Sequence, residues 1–337
     1  MQARLDWILR GLGLRELMPL FEREGIDDTL LAALTEDELR SIGVEKLGDR
    51  KRLMQAFAKM GASGFAAKSS LQAPAAPPAA SPPTVSAPAP APVRNTAYSQ
   101  QPLMATLARP YLSSLRVPMV PIGRGKTLFS IHEVRVRDYM EYAAETGAVL
   151  PGADYAQSPD HPVVNVHWDD ARLFSEWLTA REVWLGLIPE SMIYRLPTDE
   201  EWSAAVGLSY ESGTSPRGRS GVVEGFPWGG EFPPTATSGN YHMKFGCGFR
   251  ETSPVGSFAP NRLGIYDLGG NVWEWCMDLY EKGSPDRVLR GASCFNDDPL
   301  YLMSSFRDHF PADRARNNLG IRLVLAPAAE GNLWSKA

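Results

Sequence analysis

The sequence predicts a multidomain chain: an all-α helical bundle followed by an α+β domain with much irregular loop. Three observations predict it. Residues 1–62 repeat apolar side chains at helical spacing and carry a capping box. Residues 63–100 are dominated by alanine and proline, and 72–93 carry no charge at all. Residues 101–328 mix short strand-like runs, helical runs and long loops rich in Gly, Pro, Ser and Thr, with 329–337 as a tail.

In the first region Leu5, Ile8 and Leu9 recur at helical spacing, as do Leu17, Leu20 and Phe21. Gly11 and Gly13 mark the first break. Thr35 and Glu38 form the capping box, each satisfying an orphan amide of a helix start. Gly43 ends that helix. Leu47-Gly-Asp-Arg50 opens a last one carrying Leu53, Ala56, Phe57 and Met60. The tract that follows reads as a semi-rigid polyproline spacer, at roughly 3.1 Å per residue. A Pro-x-x-Pro ligand at Pro74 and Pro77 is the other reading.

In the last region Val163–Val166 reads as a short strand and Trp168–Glu182 as a helix. Asp169 and Asp170 in its first turn suit the helix dipole, and Phe174, Trp177 and Leu178 mark its buried face. Tyr194–Leu196 reads as a strand. Thr198 and Glu201 open another helix, with Trp202 in the core. Residues 207–258 read as loop.

Composition narrows the function. A chain of 337 residues with 44% hydrophobic content and nine tryptophans has material for a sizeable core and more than one domain. A formal charge of −5 argues against nucleic acid as a partner. Cys247, Cys276 and Cys294 are odd in number and contain no Cys-x-x-Cys, which argues against a disulfide framework or a zinc site. Arg4, Asp6, Arg10 and Arg15 interrupt any secretory leader, and no apolar run is long enough for membrane insertion. A reducing cytoplasm is the expected location.

The segment Asp267-Leu-Gly-Gly-Asn-Val-Trp-Glu-Trp-Cys276 is the most informative. Its glycines permit positive φ and close approach of carbonyl groups. Asp267 and Glu274, with backbone oxygens between them, can surround one hard cation. Trp273 and Trp275 alternate with Glu274 and can hold the loop in a buried aromatic layer.

The run Trp7-Ile-Leu-Arg-Gly-Leu-Gly-Leu14, Phe21, Gly25-Ile-Asp27, Leu34-Thr-Glu-Asp-Glu-Leu39, Ile42-Gly-Val44 and Leu47-Gly-Asp-Arg-Lys51 resembles a sterile-alpha-motif (SAM) domain. That resemblance implies a protein-interaction module that often associates head to tail. Glu36, Asp37 and Glu38 would supply the acidic patch, and Lys46, Arg50, Lys51 and Arg52 the basic one. The plain alternative is a solvated face of mixed charge.

Across the last region His161-Pro-Val-Val-Asn-Val-His-Trp-Asp-Asp-Ala171, Tyr194-Arg-Leu-Pro-Thr-Asp-Glu-Glu-Trp202, Phe226-Pro-Trp-Gly229, Asn261 through Trp275, Arg287 through Ser293 and Leu319-Gly-Ile-Arg-Leu323 appear in order. Together with Glu133-Val134 and Tyr139 they resemble the formylglycine-generating, or sulfatase-modifying-factor, domain, a variant of the C-type-lectin fold. Active members carry two copper-binding cysteines after the turn at Arg290-Gly-Ala-Ser293. Here the corresponding positions hold Asn296 and Tyr301, and Cys294 is a lone thiol. Soft thiolates are what Cu(I) requires, so neither formylglycine generation nor bound copper is expected. An iron-dependent oxidoreductase is the alternative. Among His132, His161, His167, His242 and His309, however, only His161 and His167 stand close in sequence, and these read as a turn and a cap. The resemblance implies one structural Ca²⁺, held by the side chains of Asp267 and Glu274 and the carbonyls of Gly270 and Val272. The resemblance implies one site and not two, since Asn240 and Tyr241 match the second family site but Cys247 replaces its carboxylate.

Residues 294–318 lie between two framework phrases, where this fold carries its ligand-facing surface. Phe295, Tyr301, Phe306, His309 and Phe310 stand among Asn296, Asp297, Asp298, Asp308 and Asn317, a mixture suited to recognising a protein. The segment also resembles the variable region of diversity-generating-retroelement proteins, where adenine mutagenesis of Asn codons yields most of these residues, though not Met303. Ordinary relatives, or core aromatics, give the same composition. The reading is a non-catalytic binding protein: SAM-mediated self-association or recruitment, a spacer, and a lectin-like domain that holds a protein ligand.

Overall fold

The computed structural model describes residues 5, 8, 9, 12, 14–26, 30–64, 98–123, 127–208 and 210–328. They fall in two compact units, Met1–Thr96 and Ala97–Ala337. Gly11, Gly13, the alanine-proline spacer and the tail lie outside the described residues.

In the first unit α1 (Met18–Arg23), α2 (Glu36–Ser41) and α3 (Leu47–Gly64) surround a core built from Leu5, Leu14, Phe21, Leu39, Leu53 and Phe57. The capping box at Thr35 and Glu38 is formed in both directions. Gly43, at φ +108°, ends α2 in a conformation that a side chain would strain.

The second unit begins earlier than the sequence suggests, because the Ser99 amide already bonds to the Pro110 carbonyl at 2.7 Å. One sheet has the order β1-β2-β3-β9-β4, from β1 (Tyr111–Leu112), β2 (Pro118–Pro121), β3 (Leu128–Ser130), β4 (Met192–Arg195) and β9 (Val324–Pro327). The other has the order β7-β6-β5-β8, from β5 (Trp273–Leu279), β6 (Asp286–Arg290), β7 (Asp308–Pro311) and β8 (Leu319–Gly320). Helices α4 (Val136–Thr146) and α5 (Trp168–Trp184) pack through Tyr139, Tyr142, Phe174 and Trp177, whose ring centroids lie 5.1–5.6 Å apart. Helix α6 (Asp199–Val206) carries the expected capping box and buries Trp202 fully. The short turns α7 (Pro216–Arg219) and α8 (Pro299–Leu302) complete the α-helices among the described residues.

Val163–Val166 corrects the sequence reading. The segment is buried but joins no ladder, because Asn165 sits at φ +57° and turns the chain. Its apolar run comes from burial rather than from pairing. No helix among the described residues is long and apolar enough to cross a membrane.

Candidate functional site

The loop ahead of β5 is folded by two residues in the left-handed region, Asp267 at φ +55° and Asn271 at φ +57°. Gly269 and Gly270 permit the close approach: a Cβ on Gly270 would lie 2.5 Å from the Asn240 carbonyl oxygen. Asn271 is buried and wired on every side. Its amide N–H donates to the Asn240 carbonyl at 2.7 Å, and its Oδ1 accepts from the Ser253 amide at 2.9 Å. Its Nδ2 donates to Glu133 Oε1 at 3.2 Å.

A buried ionic cluster lies against this loop. Glu274 Oε2 accepts from Trp202 Nε1 at 2.8 Å, and its Oε1 accepts from Arg322 Nε at 2.8 Å and forms an ion pair with Nη2 at 2.7 Å. Glu133 Oε2 stands 3.8 Å from Arg322 Nη2. Asp267 Oδ2 accepts from the Gly256 amide at 2.6 Å. Burial, with the Asp267 charge beside it, pushes the Glu133 carboxyl well above the usual range, and burial pushes Asp267 up to about 6. One guanidinium therefore faces three carboxyls. Hard oxygen donors with surplus negative charge are what Ca²⁺ takes. No group of three or more His, Cys, Asp or Glu side chains is arranged to hold a metal among the described residues, so a cation here would also draw on backbone oxygens such as those of Gly270 and Val272.

Residues 294–318 are not one continuous surface. Phe295 and Tyr301 are exposed, and Tyr301 packs edge-on against the half-buried Phe306, 5.1 Å between centroids. Asn296 Oδ1 accepts from the Ser293 amide and hydroxyl at 2.9 and 2.7 Å. Asp297 pairs with Lys244 at 2.7 Å, and Asp298 caps α8. Asn317 turns toward Asp154 and Asn165. In β7, His309 pairs across from Val288 and Phe310 from Arg287, so the two project to opposite faces. His309 stacks on Tyr280 at 4.2 Å with Nδ1 2.6 Å from Asp286, whereas Phe310 packs toward Trp275 beneath Arg316. Asp308, half-buried, uses its carboxylate to accept the His309 amide. Cys294, Leu302, Ser304, Ser305 and Arg307 are core. The expectation of a single ligand face over this span is corrected to a patch around Phe295–Tyr301 and a separate group on β7.

The sequence did not single out Met243 and Lys244. They sit on a turn joined to the patch by the His242 amide, which donates to the Asn296 carbonyl at 3.1 Å. Nor did it assign Glu133 and Arg322 to a site. Their signal was a charge inside an apolar run, which burial permits only with a partner.

All three cysteines are free and buried. Burial pushes the Cys294 thiol up to about 12, and Cys247 Sγ donates to the Tyr241 carbonyl at 3.3 Å. His161 Nδ1 lies 3.0 Å from Thr252 Oγ1, and His167 caps α5 beside Asp170. In the first unit Glu36, Asp37, Lys46 and Lys51 reach solvent. Arg50 does not: it is 4% exposed, and its Nη1 donates to the carbonyls of Val44 and Glu45 while Nε reaches Glu36 at 3.4 Å. Its place in an open basic patch is therefore corrected to an internal tether.

A family model described as the sulfatase-modifying factor enzyme 1-like domain matches residues 124–327, and one for the SAM domain matches 5–60. The inactive C-alpha-formylglycine-generating enzyme 2 of Bos taurus is 39% identical over 151 residues, 42% of either chain. The formylglycine-generating enzyme of Thermomonospora curvata is 34% identical over 139 residues, 39% of this chain and 37% of that one. The chain thus spans about two-fifths of the length of these relatives. Among solved structures, PvdO from Pseudomonas aeruginosa is similar with a TM-score of 0.47 and 22% identity, over 59% of this chain and 80% of that one.

Proposed function

Because the chain belongs to the sulfatase-modifying factor enzyme 1-like family and carries a SAM domain at its N-terminus, we propose that it is a non-catalytic binding protein. The observation that carries this reading is what fills the two thiolate positions. Asn296 holds the turn after Ser293 by hydrogen bonds, and the Tyr301 ring rests on Phe306. An amide and a phenol do not hold Cu(I). The buried Cys294, with its thiol pushed up to about 12, does not supply a reactive thiolate either.

The ligand is a protein, bound at the patch around Phe295, Asp298 and Tyr301 with Met243 and Lys244 beside it. Exposed aromatics among adaptable polar groups support this. The SAM domain associates with its own copies or recruits a partner through Glu36, Asp37, Lys46 and Lys51, which would raise avidity. A structural Ca²⁺ braces the loop ahead of β5 from Asp267 and the Gly270 and Val272 carbonyls, with Glu274 as the fourth candidate. Its role is mechanical. The free thiols fit a reducing cytoplasm. Diversification of residues 294–318 by a retroelement would leave a near-copy of codons 290–322 beside a reverse transcriptase gene.

Metal analysis of the purified chain, with oxygen uptake in the presence of a thiol peptide, tests the central reading. Calcium without stoichiometric copper or iron, and no oxygen consumed, is expected. One bound copper or iron with thiol-dependent oxygen uptake would make the protein a metal-dependent oxidoreductase instead.

A further inference from the structure

We infer that a cleft at the C-terminal end of α6 binds a small organic anion with a flat apolar body. The turns at 226–229 and 258–263 form further walls, and the cleft encloses about 500 Å³. Small-molecule sites span roughly 300–1,000 Å³, with apolar walls and a few fixed polar groups. None of the lining residues belongs to the patch around Phe295–Tyr301.

The walls are aromatic. Phe226 and Trp228 stack at 4.5 Å with 9° between their planes, and Tyr241 meets Trp228 edge-on at 5.2 Å. Phe258, half-buried on the second turn, meets Phe249 at 6.2 Å. Rings so placed favour a flat apolar ligand. Asn261 fixes that turn against the helix. Its Nδ2 donates to the Ala205 carbonyl at 2.8 Å, and its Oδ1 accepts the Leu263 and Ile265 amides at 2.9 and 3.1 Å. The cleft is therefore preformed, which lowers the cost of binding.

Charge selects the ligand. Arg262 and Asp267 are the charged residues that line the cleft. Asp267 is 9% exposed, and its Oδ2 is taken by the Gly256 amide at 2.6 Å. Arg262 is exposed, and among the described residues no carboxylate or carbonyl takes its N–H groups. Its guanidinium rests over the C-cap of α6, where a Cβ on Gly207 would lie 3.3 Å from Nη2. A planar guanidinium with free donors takes a carboxylate, sulfonate or phosphate through paired hydrogen bonds.

The test uses the full chain and two fluorescent dyes that differ by one charge, anilinonaphthalenesulfonate and its uncharged parent phenylnaphthylamine. Wild type should bind one sulfonate dye per chain. Arg262→Gln should weaken the sulfonate at least about tenfold and shift the uncharged dye by less than about twofold. Ala259→Trp, at an exposed position lining the cleft, should fill it and abolish binding of both dyes. Equal sulfonate affinity in wild type and Arg262→Gln would overturn the inference. Binding undiminished by Ala259→Trp, or no binding by wild type, would do the same. Should a variant not fold, wild-type crystals soaked with a brominated naphthalenesulfonate decide by anomalous scattering. Bromine in the cleft with the sulfonate on Arg262 supports the inference, and bromine only elsewhere overturns it.

Discussion

Two buried ionic clusters in the second unit follow the same physics with opposite charge balance. In one, Arg219, Arg290 and Arg307 converge on Asp199, and Arg307 also holds Glu211. Burial opposes ionisation of both acids, yet the guanidiniums hold Asp199 and Glu211 below the usual carboxylate range. In the other, Arg322 alone serves Glu133, Asp267 and Glu274, and two of those acids are pushed up. In the first cluster the guanidiniums tie α6 to α7, to β6 and to the residue just ahead of β7. The second carries three carboxyls against one guanidinium. The balance of charge around a buried acid, and not burial alone, therefore decides whether its carboxyl is held down or pushed up.

Removing the central acid of the first cluster should have the largest effect. Asp199→Ala leaves Arg290 and Arg307 buried without their main partner, and should cost about 3–5 kcal/mol in urea denaturation of the second unit. A loss below about 1 kcal/mol would show that these ties do not hold α6 in place.

The pH response should separate the two clusters next. The Asp267 carboxyl is raised in the fold, so its contribution is fully present below its ordinary value of 3.8 and is lost as pH rises through about 6. In chelator, wild type should lose roughly 2 kcal/mol relative to Asp267→Asn between pH 4 and 7, at about 1.4 kcal/mol per unit. Asp199 is lowered, so its contribution is present above 3.8 and is lost on acidification. A wild-type-minus-variant difference that stays flat with pH would remove the proposed charge imbalance.

Smaller effects sharpen the contrast. Trp202→Phe deletes one donor to Glu274 and should cost about 2 kcal/mol by chemical denaturation, as expected for a hydrogen bond to a buried charge. Thr198→Ala removes the cap of the helix that presents Asp199, and about 1 kcal/mol should be lost in the same measurement. A larger loss from the cap than from Trp202 would place helix α6, rather than the Glu274 cluster, in control of local stability.

Much of the fold was legible because its signals are local. The boxes at Thr35 and Thr198 depend on residues three apart, and the apolar stripe at Phe174, Trp177 and Leu178 depends on helical periodicity. Val163–Val166 misled because a buried extended run and a paired strand share one composition. The candidate site was legible only in part. Asp267, Asn271 and Glu274 lie in one phrase, whereas Arg50 read as exposed because nothing nearby in sequence announces the carbonyls that take up its donors.

The amino-acid order by itself determined that a SAM domain precedes a sulfatase-modifying factor enzyme 1-like domain, and that Asn296 and Tyr301 follow the turn at Ser293. Only the tertiary structure decided that Glu133 meets Asp267, that Glu274 belongs to Arg322 and Trp202, and that His309 and Phe310 part company across β7. The physical reason is distance along the chain. Caps and periodicities are fixed within a turn or two, but which buried charges share a partner depends on contacts that form only when remote segments close on one another.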